Sequence, residues 1–371
     1  MSNLEATLAN RKIVKALGVM SGTSMDAIDV ALIETDGNVH INACAVGMGA
    51  YDPALREILL QRLADPALAA ALPPRDLVDA VTDAHCRAVE EMVTSNHLTL
   101  DEIDLIGFHG QTIFHAPDRR LTIQIFDGER ASRRLKTPVV SDFRTADVLA
   151  GGQGAPLAPL FHRAKFGDIR EPIAIVNIGG VSNITYFDHD TILAFDTGPG
   201  SALIDDFIRR RRGISYDQDG LIARSGKINS EIAEHILSIS YFDQKPPKSL
   251  DRNHFHKVME EIETLSDADG AATLLELTVK SIAKSRAHLP QTPTQWFICG
   301  GGRHNLFLLE RLRDLLGVSV NPVEILGWNG DMVEAECFAW LAVRVVKDLP
   351  LSLPTTTGVP FPMKGGRIDY P

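Results

Sequence analysis

The feature that most restricts the fold is an order of elements that occurs twice. An apolar run, IVKALGVM, enters a small-residue turn, SGTSMD, and continues as AIDVALIET, where Ile28, Val30 and Leu32 alternate with polar or small partners. Alternation at period two marks a half-buried strand, so this stretch reads strand, turn, strand. The same order returns in IAIVNIGG (Ile173 to Gly180), VSNITYFD and TILAFDTGPG (Thr191 to Gly200). DLIGFHGQT (Asp104 to Thr112) has its counterpart in TQWFICGGGRHN (Thr294 to Asn305), each a buried strand running into a glycine loop. TPVVSDFRTADVLAGG likewise pairs with SVNPVEILGWNGDMVEAECFAWLA. Element type and order repeat while residue identity does not, and the period is too long for a solenoid. Strands mixed with helical stretches make each copy an α/β lobe. The expectation is a duplicated α/β fold with lobes at residues 1–170 and 171–371, divided at the polar, proline-terminated FGDIREP (Phe166 to Pro172).

Helical spacing predicts helices near Asp76–Ser95, Ser201–Arg212, Ala271–His288, His304–Leu316 and Met332–Val346, and the two prolines of Tyr241 to Phe255 predict a loop. Lys and Arg number 37 against 48 Asp and Glu, a net charge of −11, which disfavours binding to a phosphate backbone and so excludes nucleic acid from the expected partners. No apolar run is long enough for a membrane span, and no signal peptide is legible at the N-terminus. Cys44, Cys86, Cys299 and Cys337 form no C-x-x-C pair, so they are expected to be buried thiols in a reducing cytoplasm.

Chemistry concentrates at the strand ends. Gly22-Thr23-Ser24, Gly179-Gly180, Gly198-Pro199-Gly200 and Gly300-Gly301-Gly302 are small-residue turns at corresponding points of the repeat. Glycine lets a backbone approach a ligand closely, and successive N–H groups make anion-binding concavities, so the set can jointly hold a polyphosphate; each turn alone can equally be only a tight turn. A P-loop, a dinucleotide fingerprint and a serine-hydrolase elbow are all missing from the sequence. Asp196, in AFDTGPG, ends an apolar strand, a place for a general base; hydrogen bonding to Thr197 or to loop N–H groups is the plainer alternative. Asp26 and Asp29 flank the first turn, either orienting Mg²⁺ through water or capping the turn. His109 and His115 lack metal-ligand spacing and read as hydrogen-bonding residues. The run Arg209 to Arg212 reads as the C-terminal end of a helix before Gly213.

Taken together, GVMSGTSMDAIDVAL, GFHGQTIFH, SDFRTADVLAGGQGAPLAP, NIGGVSNIT, FDTGPGSALIDD, CGGGRHN and EAECFAWLA resemble the 1,6-anhydro-N-acetylmuramic acid kinases, in order, from about residue 13 to 366. The resemblance implies duplicated ribonuclease-H-like lobes of the actin/Hsp70/hexokinase type, with ATP and sugar in the interlobe cleft. It implies a cytoplasmic homodimer that uses ATP and Mg²⁺ to open the anhydro ring and phosphorylate O6 of a small cell-wall sugar. By the same resemblance Asp196 activates water. Gly22, Thr23, Ser24, Met25, Asp26, Ala27, Ile28 and Asp29 match the phosphate-binding stretch, Gly198, Pro199 and Gly200 the second loop, and Gly300, Gly301 and Gly302 the adenosine-side loop. Thr112, Arg144 and Glu334 are the candidates for sugar contact, Arg144 for the lactyl carboxylate. No protein-only metal site is implied; Mg²⁺ is expected through ATP phosphates and water.

Three positions depart from the family pattern. Ala27 replaces a glycine and is expected to have slipped into the following strand, Ser201 replaces an asparagine, and Leu250-Asp251 replaces Thr-Gly. A nucleotide-dependent binding protein of the actin/Hsp70 kind, without a small substrate, is the alternative in another class, and a catalytically silent sugar sensor is a third.

Overall fold

In the computed structural model, which describes residues 3–250, 255 and 258–371, the first strand set is β1 (Val14–Ser21), β2 (Ile28–Thr35), β3 (Ile41–Gly49), β4 (Leu105–Ala116), β5 (Leu121–Ile125) and β6 (Val139–Ser141). The second is β7 (Ile173–Ile178), β8 (Val181–Asp188), β9 (Thr191–Pro199), β10 (Gln295–Cys299) and β11 (Ser319–Pro322); β12 (Arg367–Asp369) comes last. One sheet has the order β12-β6-β4-β1-β2-β3 with β5 on β4, the other β11-β10-β7-β8-β9. In both, the first three strands form an antiparallel meander, a later strand pairs in parallel with the first (β4 with β1, β10 with β7) and one more pairs in parallel with that strand (β6 with β4, β11 with β10), while β5 is antiparallel to β4. The repeat inferred from residue order is thus a repeat of strand order: two ribonuclease-H-like lobes of the actin/Hsp70/hexokinase type.

The two compact units are Met1–Gly167 with Met332–Pro371, and Asp168–Asp331. The expected lobes of 1–170 and 171–371 assigned residues 332–371 to the second lobe, whereas the structure packs them into the first. The cause is a pair of glycines. Gly18 of β1 and Gly107 of β4 are register partners on neighbouring strands. A Cβ on Gly18 would overlap the carbonyl oxygen of Ala335, and one on Gly107 the carbonyl oxygen of Phe338. The helix Val333–Val346 therefore lies with its own backbone against the sheet, its Ala335, Ala339 and Ala342 buried there. A helix–sheet contact this close needs small residues on both surfaces. The opposite flank repeats the device, since Gly47 of β3 leaves room for Met92 and Gly49 for Ala88 of the helix Arg75–Ser95. That helix buries Leu77, Val81, Ala84, Ala88 and Met92, one stripe at helical spacing.

The second unit has its own core around Phe195, Phe207, Leu274, Leu277 and Trp296. The helix Ala202–Arg212 ends at Gly213, left-handed at φ 70°, and its arginine run forms ion pairs: Arg209 with Asp206 at 2.9 Å and Arg212 with Asp267 at 3.0 Å. Cys86, Cys299 and Cys337 are buried as expected, but Cys44 is exposed, because β3 is an edge strand with one uncovered face.

Three histidines of the first unit, His85, His109 and His162, are buried and His115 is half-buried, and burial pushes their pKa values down, to about 4 for His85 and His115, about 3 for His162 and well below the usual range for His109. The folded state then binds fewer protons than the unfolded chain between pH 6.5 and about 4, so stability falls with acid over that window. Urea midpoints are expected to drop from pH 7 to pH 5, with hydrogen exchange locating the loss in the first unit; equal midpoints contradict the assignment. Gly18→Ala should cost about 3 kcal/mol, the upper end for overpacking. A urea midpoint equal to wild type would show that the helix has room to retreat.

Candidate active site

In the second unit the candidate residues lie around Asp196. Strands β8 and β9 shift register between Ser182 and Asn183: Ser182 faces Gly198 while Asn183 faces Asp196, so Thr197 is the extra residue of a β-bulge. A bulge turns a strand end and re-aims its side chains. Asp196 is 6% exposed. Its backbone N–H donates to Lys248 O at 3.0 Å, its carbonyl accepts from the Tyr241 hydroxyl at 2.6 Å, and its carboxylate Oδ2 accepts from the Leu250 N–H at 2.7 Å. Of the two alternatives for this residue, loop N–H bonding is present. It leaves the general-base reading intact, because a donated N–H favours the ionised carboxylate. Thr197 instead bonds Ser182, whose carbonyl accepts from its hydroxyl at 3.2 Å.

The glycine turns beside Asp196 serve the fold first. A Cβ on Gly200 would overlap Gly179 O, and one on Gly198 would lie 2.6 Å from Ser281 Oγ. Gly200 N–H donates to Gly180 O at 3.0 Å and Ser201 N–H to Gly179 O at 2.8 Å. The Gly200 N–H, expected to be available to an anion, is thereby committed to the neighbouring turn, as is the N–H of Ser201. Ser201, the residue in place of asparagine, adds its hydroxyl to Gly179 O at 3.2 Å.

The Gly300–Gly302 turn divides the same way. Gly300 has φ 75° and its missing side chain leaves space for Asn177, while Gly302 leaves space for Ile178; Gly301 alone has nothing within 4 Å of its Cβ position. Arg303, nearly buried, ties this turn down. Its guanidinium donates to Gly300 O at 3.0 Å, to Glu324 Oε1 at 2.7 Å and to both oxygens of Asp331 at 2.8 and 2.7 Å. Sequence reasoning passed over Arg303, although its place directly after three glycines was a signal. Lys248 and Tyr241 were passed over as parts of a loop. Asp251 lies outside the described residues, whereas Leu250 meets Asp196 through its main chain, which a change of side chain does not remove.

In the first unit the Gly22–Asp29 stretch is a turn held from outside. Met25 N–H donates to Gly22 O at 3.1 Å, and Met25 sits at φ 56°, a left-handed conformation unusual for a side chain, with that side chain fully buried. Arg56 donates from Nε to Met25 O at 2.9 Å and from Nη2 to Ser24 O at 3.1 Å, and pairs with Asp26 at 2.9 Å. Asp26 is therefore a surface partner of Arg56; Asp29 is half-buried in β2 opposite Met20. Ala27 was expected inside the following strand but precedes it, since β2 begins at Ile28. The left-handed residue is Met25, so alanine at position 27 meets no positive-φ requirement. Behind the turn, Ser21, Tyr51, His85 and Gln111 form a buried network in which Tyr51 donates to Ser21 Oγ at 3.0 Å or Gln111 Oε1 at 2.9 Å, and Gln111 Nε2 donates to Gly22 O at 3.3 Å.

Arg144 is oriented by two acceptors, His109 Nε2 at 2.9 Å from Nε and Gly154 O at 2.7 Å from Nη1. Burial and the guanidinium charge both keep His109 neutral, which leaves Nε2 an acceptor. Asp147, buried, accepts from Gly154 N–H at 2.7 Å, from Thr357 Oγ1 at 2.6 Å and from Ser352, so the glycine loop around Arg144 is pinned to the C-terminal segment. Thr112 accepts from Gln124 at 3.2 Å, and Glu334 is half-buried in the first turn of the helix Val333–Val346. Among the described residues no three His, Cys, Asp or Glu side chains cluster in a way that would hold a metal ion.

A family model described as anhydro-N-acetylmuramic acid kinase matches residues 14–371. The chain is 46% identical over 355 residues to the anhydro-N-acetylmuramic acid kinase of Rhodospirillum rubrum, covering 95% of this chain and 93% of that one. It is 46% identical to that of Bradyrhizobium diazoefficiens and 45% to that of Rhodopseudomonas palustris, in each case over 97% of this chain and the whole of the relative.

The glycines can be sorted by substitution. Gly200→Ala should lose about 2 kcal/mol in urea unfolding, because its methyl must push the two neighbouring turns apart. Gly301→Ala should unfold within about 0.5 kcal/mol of wild type. A stable Gly200→Ala would contradict the packing argument.

Proposed function

The chain belongs to the anhydro-N-acetylmuramic acid kinase family, and from that premise we propose how its residues divide the work of the reaction. It is an ATP-dependent phosphotransferase that opens the 1,6-anhydro ring of 1,6-anhydro-N-acetylmuramic acid and phosphorylates O6, giving N-acetylmuramic acid 6-phosphate and ADP in peptidoglycan recycling. Water adds to C1, the C1–O6 bond breaks with its electron pair going to O6, and O6 takes the γ-phosphoryl group as ADP departs. The proton lost by water passes to Asp196. The observation that carries this assignment is the hydrogen bond from Leu250 N–H to Asp196 Oδ2, which aims the carboxylate from a bulged strand end and favours its charged, basic form.

Arg144 is assigned the lactyl carboxylate of the sugar. A guanidinium whose Nε and Nη1 are already bonded is restricted in rotation, which suits recognition of a planar anion. Thr112 and Glu334 are assigned sugar hydroxyls. Two features, each taken within its own unit, are assigned to nucleotide binding. The open side of Gly301 admits close approach of a ligand, and the turn held by Arg56 presents backbone of fixed shape for phosphates. Gly22 to Asp29 and Gly198-Pro199 are assigned the phosphates; Gly200, Gly300 and Gly302 bring backbones together. Mg²⁺, held through the ATP phosphates and water, would supply neutralisation of the charge that develops on those phosphates. The protein is read as a cytoplasmic homodimer acting on a small molecule. Support comes from the family to which the chain belongs; among the described residues no helix is long and apolar enough to cross a membrane.

Asp196→Asn keeps an acceptor for Leu250 N–H, so the variant should fold and melt like wild type. Its sugar-dependent ADP release should fall by roughly 10³-fold, within the range for loss of a general base. Wild-type turnover by that variant would remove Asp196 from the mechanism.

A further inference from the structure

Lys248 is 6% exposed, and its ammonium has no carboxylate in ion-pair range among the described residues. Nζ donates to the carbonyls of Tyr241 at 2.8 Å and Phe242 at 3.3 Å and lies over two aromatic faces, Tyr241 at 4.5 Å and Phe195 at 5.7 Å from the ring centroids. A cation taken out of water is costly unless dipoles and ring faces replace its hydration. Methionine at this position would avoid that cost, so the charge calls for an explanation.

The explanation lies in what those two carbonyls belong to. Residues 241–250 leave Tyr241 and return to Leu250, and both ends of the segment grip Asp196: the Tyr241 hydroxyl at its carbonyl, Lys248 O at its N–H, and Leu250 N–H at its carboxylate. Lys248 closes the segment on itself by joining its second end to its first. We propose that Lys248 is a positioning residue for Asp196, its buried ammonium closing the 241–250 segment so that Leu250 N–H is held on the carboxylate. The proposal rests on the general-base reading of Asp196. It has a second consequence, because the ammonium and the Asp196 carboxylate attract each other. Without Lys248 the carboxylate loses both a fixed donor and a favourable charge, and its pKa rises. Burial lowers the pKa of Lys248 itself to about 8; the nearby Asp243 and Asp196 charges oppose that shift and Lys284 adds to it.

The test compares wild type with Lys248→Met, Lys248→Gln and Lys248→Arg. In Lys248→Met the acid limb of kcat/KM against pH should move up by about one unit. Its kcat should fall by tenfold to a hundredfold, roughly the effect of a displaced catalytic group, while KM for ATP stays unchanged. Lys248→Arg, which keeps the charge, should leave the limb near its wild-type position. Lys248→Gln gives the two carbonyls a donor without charge and reads the same limb if the methionine variant does not accumulate folded. An acid limb that stays in place in both uncharged variants overturns the proposal. The ¹⁵N resonance of the Leu250 amide gives a reading independent of turnover: it should titrate with Asp196 in wild type and not in Lys248→Met, and equal titration in both overturns the clamp. Failure of the wild-type protein to turn over the anhydro sugar would instead sink the functional reading, with the amide titration still deciding the clamp.

Discussion

The backbone contact between the helix Val333–Val346 and the glycine pair Gly18 and Gly107 is the constraint on which the first unit depends. Helices ordinarily stand off a sheet by the length of their side chains, and this one does not. At that distance dispersion contacts are dense and a single added methyl has nowhere to go. The contact also sets the topology, because it draws the end of the chain back to its first strands. β12 then pairs with β6, and Asp147 can accept hydrogen bonds from Ser352 and Thr357. The loop that presents Arg144 is thus pinned by residues some two hundred positions further along the chain.

The same economy of size recurs in the second unit. Gly200 brings the end of β9 against the turn at Gly179, Gly198 brings β9 against Ser281 of the helix Asp267–Lys284, and the bulge at Thr197 turns Asp196 at the end of that strand. Small residues make these approaches possible, but polar groups decide their geometry. Leu250, Lys248 and Tyr241 fix Asp196, Arg56 fixes the Met25 turn, and Arg303 fixes the Gly300 turn. In each case a side chain donates to a backbone carbonyl, a group that a turn otherwise leaves exposed, and at Asp196 the loop main chain adds a bond to its N–H and one to its carboxylate.

The net charge of −11 takes on meaning beside these contacts. ATP and a carboxylated sugar are anions, so the global field opposes both. Arg56 and Arg303 are already paired with Asp26, Glu324 and Asp331 and act mainly as braces. Arg144 differs, because its named partners are a neutral histidine and a carbonyl. Neither of these two carries a negative charge. Keeping His109 neutral is therefore integral to the electrostatics at this position.

Strand order, helix positions and the family were legible in the residues, because periodicity and glycine turns are local: a strand alternates and a helix repeats whatever else the chain does. The helix expected at Met332–Val346 is there at Val333–Val346, and the glycine loops end the strands assigned to them. Its membership of the first unit was not legible, since nothing near Gly18 announces a partner at Ala335. Nor was the division of the glycines, in which Gly301 stands open while Gly200, Gly300 and Gly302 are filled by neighbours distant in sequence. Lys248 read as one more charge in a loop, and only the fold shows it buried among carbonyls and rings. The sequence by itself determined which elements form and which chemistry they carry, through short-range sterics and hydrophobic spacing. The tertiary structure decided which backbone groups are already spent on one another, because that depends on distances between segments that local pattern does not encode.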